Sequence, residues 1–144
     1  MHFTEPLKIF PVLACRKGQV EENFMEKRME QLRENLKINV QILEHVAIND
    51  EKDVPILKES LAKVDCILLY KPHLGLGDCI MKISDYGVPI ILFNDEGMVN
   101  NPLDALEYVY PKEKVWVAVD YEDINNYLGV LSQRKGWSRR KYWF

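Results

Sequence analysis

Two polar loops, each directly after an apolar run, carry the side chains best suited to bind a ligand. The first loop is Cys15-Arg16-Lys17-Gly18, and the second is the segment 71–78. Together with a third loop (Asn94-Asp95-Glu96), they supply basic and acidic groups, and glycines that let backbone amides approach a ligand at a helix start. Such a set suits a polyhydroxylated or phosphorylated small molecule. The candidate binding residues are Arg16, Lys71, His73, Gly75, Gly77 and Asp95.

Each of these loops also has a purely structural interpretation. Strand ends are polar in most α/β proteins, and a glycine before a helix often serves only the turn. The segment Gly75-Leu76-Gly77 lacks the third glycine of a dinucleotide-binding loop. His73 could equally stabilise a turn or stay solvated. The sequence therefore leaves both interpretations open.

Catalytic residues are harder to find than binding residues. Cys15 follows the first apolar run, where small phosphatases keep a nucleophilic cysteine, but Glu21 occupies the position of their arginine. We therefore expect Cys15 to pack at a strand end, and we assign no catalytic residue. The histidines are scattered, and no pair has the spacing of metal ligands on one element. We accordingly predict no metal and no cofactor bound by this chain alone.

Composition indicates a globular protein of ordinary size. The chain has 144 residues, 47% of them hydrophobic, and a net charge of −3, which fits a single domain spanning 1–144. The mild acidity argues against a nucleic-acid partner, and no apolar run is long enough to cross a bilayer. Three cysteines without metal-type spacing and a start unlike a signal peptide indicate reduced thiols and a cytoplasmic location.

The segment 133–144 forms a tail that differs from the rest of the chain because basic and aromatic residues are concentrated in it. A nucleic-acid-binding arm would have this composition, but such binding normally needs a wider basic footprint. We favour the end of a helix followed by the start of a strand. The aromatic side chains would then anchor a partner or a neighbouring subunit.

Alternating apolar runs and helical periodicity predict a three-layer α/β/α fold with a parallel sheet of five strands. A flavodoxin-like strand order of 2-1-3-4-5 fits the single reversal best and brings the loops after strands one and three to one crevice. Pro11 interrupts the first strand and predicts a bulge or an early end. The predicted strands are 7–14, 40–43, 66–70, 88–93 and 114–119, and the predicted helices are 19–36, 54–64, 78–86, 102–109 and one beginning at 120–131.

Four segments resemble the amino-terminal domain of the L-fucose and L-arabinose isomerase family. They are 62–70 (AKVDCILLY), 87–93 (GVPIILF), 7–12 (LKIFPV) and 123–128 (DINNYL). The similarity covers about 7–135, in the order of strands and loops. In that family the domain has a flavodoxin-like sheet and helps to shape the sugar site, often that of a neighbouring subunit.

The resemblance implies a domain that binds a pentose or deoxyhexose, without its own catalytic metal. The family interconverts aldoses and ketoses with a divalent metal such as manganese, held by later domains that have no counterpart here. It implies that the loops after the first and third strands face the sugar, which makes Arg16 and His73 the leading candidates and Lys71 and Asp95 the next ones. We expect a homo-oligomer, or a separately encoded catalytic chain, as partner. The alternatives are a stand-alone ligand-binding or regulatory module and a small independent enzyme using His73 or Cys15.

Overall fold

A parallel sheet built from short apolar strands forms the centre of the molecule. The structure is a computed structural model, and it describes residues 5–72, 77–93 and 115–140. The six strands are β1 (Leu7–Ala14), β2 (Val40–Ile42), β3 (Val46–Ile48), β4 (Cys66–Tyr70), β5 (Ile90–Phe93) and β6 (Val115–Ala118). Their order is β2-β1-β4-β5-β6, with β3 also paired to β1, and every strand pair is parallel.

The predicted flavodoxin-like fold and its reversal of strand order are thereby confirmed, with one correction. The edge position next to β1 holds two short strands instead of one, because β2 pairs with the first half of β1 and β3 with the second half. The prediction ended this strand at position 43 and missed β3 altogether.

Pro11 explains why the edge strand is interrupted. The N–H of Leu43 donates to the carbonyl of Ile9 over 2.9 Å, and in a regular parallel ladder residue 11 would donate next to the carbonyl of Leu43. Proline has no N–H to give. Ile9 pairs with Ile42 and Val12 pairs with Val46. Between these two pairs, the edge segment therefore has one more residue than β1 has. The bulge predicted for β1 therefore lies in its partner, and β1 itself continues to Ala14.

The helices follow the predicted positions with shifted boundaries. Asp50 and Asp53 form a capping box at the start of a 3₁₀ helix, so the predicted second helix begins earlier than expected and turns into an α-helix only in its last four residues. The first helix begins later than predicted, since the preceding residues form a turn. The helices are α1 (Phe24–Asn35), the 3₁₀ helix (Glu51–Leu57), α2 (Lys58–Leu61), α3 (Gly77–Ser84) and α4 (Tyr121–Arg140).

Alternate side chains of the sheet pack into two separate apolar clusters, one on each face. Ile9 and Leu13 point into the cluster completed by α1 and α4, whereas Phe10 and Val12 point into the cluster completed by the 3₁₀ helix, α2 and α3. Because strand residues alternate between faces, both clusters include residues of β4, every one of which is buried. The result is the predicted three-layer α/β/α arrangement.

The last helix is longer than the sequence pattern predicted. It continues to Arg140, so positions 133–140 of the basic and aromatic tail are helical. No helix of the described residues is long and apolar enough to span a membrane. The predicted helix at 102–109 and the end of the tail at 141–144 lie outside the described residues, and the assignment of 1–144 to one domain stays a prediction.

Candidate ligand site at the carboxyl edge of the sheet

The carboxyl ends of β1 and β4 lie side by side. These strands are paired in parallel, with Leu13 opposite Tyr70. The segments that follow, beginning at Cys15 and Lys71, therefore leave the sheet at the same edge, where strand order reverses. In open α/β sheets this is the position at which ligands bind.

A tight turn holds Arg16 at this edge. Gln19 donates its N–H to the carbonyl of Arg16 over 3.2 Å, and the Gln19 Oε1 accepts the N–H of Arg16 over 2.9 Å. Gly18 adopts a φ of +85°, a left-handed conformation that other residues reach only with strain. The turn fixes the backbone of Arg16, while its side chain is exposed.

Cys15 and Lys71, the first residues after β1 and β4, are both buried. Cys15 is 4% exposed and Lys71 is 6% exposed. The Cys15 thiol contacts the carbonyl of Arg16 at 3.4 Å and the Gln19 Oε1 at 3.5 Å. Burial raises the pKa of the thiol, and the nearby ammonium of Lys71 partly offsets that increase. Cys15 therefore packs as expected, and a cation lies within electrostatic reach of it.

Aromatic side chains fix the neighbouring strand ends. The rings of Tyr70 and Phe93, at the ends of β4 and β5, meet edge to face with centroids 5.7 Å apart. Tyr121, the first residue of α4, lies against Phe93 at 5.1 Å. Such pairs restrict the side chains beyond simple burial. These ring contacts pack the ends of β4 and β5 against the start of α4.

The predicted site residues have different outcomes. The structure brings the segments of Arg16 and Lys71 to the same edge and makes Gly77 the first residue of α3. His73, Gly75 and Asp95 lie outside the described residues, so their placement stays a prediction. The sequence analysis missed Gln19, which is the residue that organises the turn. Its only signal is an amide three positions after Arg16, a spacing from which a side chain can reach back to the backbone.

Other hollows lie away from this edge. One, of about 410 Å³, is lined by Lys8, Lys63 and their neighbours, and another, of about 420 Å³, lies between α1 and α4 beside Asn125. The Asn125 side chain is already used there, because it accepts the N–H of Lys37 and donates to the carbonyl of Asn35. Among the described residues, no group of three His, Cys, Asp or Glu side chains could hold a metal ion.

Comparisons with known proteins give little information on function. No protein-family model matches the chain, and no curated protein matches it. Among solved structures, the chain is similar to the Francisella novicida lysine decarboxylase LdcF, with a TM-score of 0.48 and 17% sequence identity. The match covers 88% of this chain and 17% of the decarboxylase chain. The resemblance to the isomerase family stays a prediction.

Proposed function

We propose that this chain is a carbohydrate-binding domain of the sugar-isomerase type, which binds a pentose or deoxyhexose at the carboxyl edge between β1 and β4. The observation that carries the proposal is the buried Lys71 close to Cys15, the residue directly before Arg16. The side chains of Lys71 and Arg16 are both hydrogen-bond donors, and sugar hydroxyls are acceptors as well as donors. The role is binding, and no catalytic residue is assigned.

The burial of Lys71 and the hydrogen bonds that hold the Arg16 backbone support this proposal. A lysine in solution loses considerable side-chain entropy when it grips a ligand. Lys71 is already buried, and the Arg16 backbone is held from two sides by Gln19. Lys71 and the Arg16 backbone are therefore in place before a ligand arrives, and the exposed Arg16 side chain becomes ordered on binding.

A catalytic role would need groups from elsewhere. We propose that a separately encoded chain supplies the metal-binding part, as the family resemblance implies; the alternative partner is a second copy of this chain in a homo-oligomer. The domain would then contribute hydrogen bonds to the sugar and contacts to the oligomer. Its aromatic tail is the proposed contact segment.

Calorimetric titration with pentoses and deoxyhexoses tests the binding role. We expect a saturable heat for at least one sugar with the parent chain, and a weaker one with Arg16→Ala. Arg33→Ala is the matched control, because Arg33 is an equally exposed arginine in the last turn of α1. Equal heats for the parent and Arg16→Ala would remove Arg16 from the site, and no heat with any sugar would overturn the proposal.

A further inference from the structure

A hollow lies on the α2 side of the sheet, near the start of β1. On this side of β1, Phe10 and Val12 are buried, whereas Lys8, which alternation places on the same side, is only partly buried. The α-helix here, α2, has only four residues, and a hollow of about 410 Å³ lies between it and the first two strands. This hollow is therefore at the other end of β1 from the Arg16 turn.

Strands and helix both contribute side chains to the lining of this hollow. Lys8 of β1 is paired with Gln41 of β2, so their side chains lie next to each other on the same face of the sheet. The described residues that line the hollow are Lys8, Gln41, Leu43, Glu59, Ser60 and Lys63. The volume falls within the range of small-molecule sites, and the lining is mostly polar.

The polar side chains of this hollow are not used to hold the fold together. Within the described part of the chain, Lys8, Lys63 and Glu59 form no ion pair. The side chains of Gln41 and Ser60 likewise form no hydrogen bond with a described residue. The hollow therefore combines two ammonium groups, one carboxylate, one amide and one hydroxyl that can all bind a ligand.

From this lining we infer that the hollow binds a small polyhydroxylated carboxylate, a sugar acid, at a site separate from the one at the carboxyl edge. The ammonium groups of Lys8 and Lys63 hold the ligand carboxylate by charge-assisted hydrogen bonds. The Glu59 carboxylate accepts hydrogen bonds from ligand hydroxyls, and Gln41 and Ser60 donate or accept further ones. The described lining residues carry one excess positive charge, which matches a carboxylate better than a phosphate with nearly two negative charges.

The test compares three probes by calorimetry with the full chain: gluconate, glucitol, which has the hydroxyls alone, and acetate, which has the carboxylate alone. We expect gluconate to bind about tenfold more tightly than either of the others, because it alone uses both kinds of contact. Lys63→Gln should weaken gluconate binding by about tenfold. Lys58→Gln is the matched control, since Lys58 is an exposed lysine of α2 that does not line the hollow, and it should leave the affinity unchanged.

Amide chemical shifts locate the bound gluconate. We expect them to change at 41–43 and 59–63, and changes confined to 15–19 would overturn the inference, because they would place the anion at the carboxyl edge. The absence of a saturable heat with gluconate would also overturn it, as would an equal loss in Lys63→Gln and Lys58→Gln. Glucitol or acetate that binds as tightly as gluconate would exclude a sugar acid as the ligand. None of these outcomes affects the proposed sugar site, which depends on other residues.

Discussion

The strands β1 and β4 form a central pair, and a buried cysteine lies at each end of it. A negative residue lies beside the cysteine at the amino end, and a positive residue lies near the cysteine at the carboxyl end. At the amino end, Cys66 follows Asp65, and burial is the main reason that its pKa rises to about 12, with the Asp65 carboxylate raising it further. At the carboxyl end, burial raises the pKa of Cys15, but Lys71 lowers it. The pKa of the thiol therefore indicates a nearby negative charge at the amino end and a nearby positive charge at the carboxyl end.

The charged groups at the two ends also differ in how they are used. Asp65 Oδ2 accepts the N–H of Lys8 over 2.8 Å and pairs with the ammonium of Lys135 over 2.9 Å, which ties α4 to the sheet. Arg16, at the other end, is exposed, and its side chain forms no ion pair with the described residues. The comparison teaches that a paired carboxylate joins two elements at the amino end, whereas the carboxyl end exposes an arginine side chain that forms no ion pair with the described residues.

Asp65→Ala should have the largest effect on stability. The Lys135 ammonium and the Lys8 N–H both lose their acceptor, and the Asp65 and Lys135 side chains are only 29% and 26% exposed. We expect the free energy of unfolding to fall by about 2 kcal/mol, as for hydrogen bonds to a charged group. Urea denaturation measures this change. Glu34→Ala, at an exposed position on α1, is the control and should cost less than about 0.5 kcal/mol.

Lys135→Met separates the stability contributions of the two contacts that Asp65 makes. It removes the ion pair and leaves the hydrogen bond from Lys8, so we expect a loss of about 1 kcal/mol. A loss as small as that of the Glu34→Ala control in both Asp65→Ala and Lys135→Met would mean that the amino end does not hold the fold.

Cys66 should make the protein less stable at alkaline pH. Its pKa is about 12 in the folded state, whereas the ordinary value for a cysteine is 9.0. The folded protein therefore holds this proton more tightly than the unfolded chain does. The contribution of this proton to the free energy of unfolding is complete below pH 9.0 and is lost as the pH rises toward 12. By pH 10 the loss is about 1.4 kcal/mol.

Cys66→Ala is the matched variant for this measurement. It lowers stability at neutral pH by a constant amount, but it lacks the titrating thiol. The free energies of unfolding of the parent and the variant should therefore converge between pH 9 and pH 11. Parallel curves over this range would show that the Cys66 proton is not held by burial.

Lys71→Met should raise the pKa of Cys15 further. The substitution keeps an unbranched side chain one atom shorter and removes the cation that lowers this pKa. The Cβ chemical shift of Cys15 in a pH titration by carbon NMR measures the change. Lys17→Met removes an exposed lysine charge two residues from Cys15 and should have the smaller effect. An equal shift in both variants would mean that the carboxyl end has only a diffuse positive potential.

The architecture could be predicted because its cause is local. Uninterrupted apolar runs such as β4 mark strands covered on both faces, and alternation with helical periodicity determines their parallel direction. The interruption of the edge strand could not be located, because it depends on the register in which Pro11 meets Leu43. Register is set by pairing between distant segments, which the pattern around Pro11 does not contain.

The candidate site was predictable to the level of loops but not of individual contacts. Strand order alone brings the segments of Arg16 and Lys71 together. The burial of Lys71 was not predictable, because it depends on which segments pack against the end of β4 and not on the residues next to it in the chain. Gln19 was missed for the same reason, since its amide acts on a backbone whose conformation comes from Gly18.

Arg16→Ala should have the smallest effect on the folded state. The side chain is exposed and forms no ion pair with described residues, and the hydrogen bond to Gln19 comes from its backbone. We expect the free energy of unfolding to change by less than about 0.5 kcal/mol. Gln19→Ala should cost more, because it removes the acceptor of the Arg16 N–H. A larger loss for Arg16→Ala, measured by urea denaturation, would assign Arg16 to the fold and end the contrast between the two ends of the sheet.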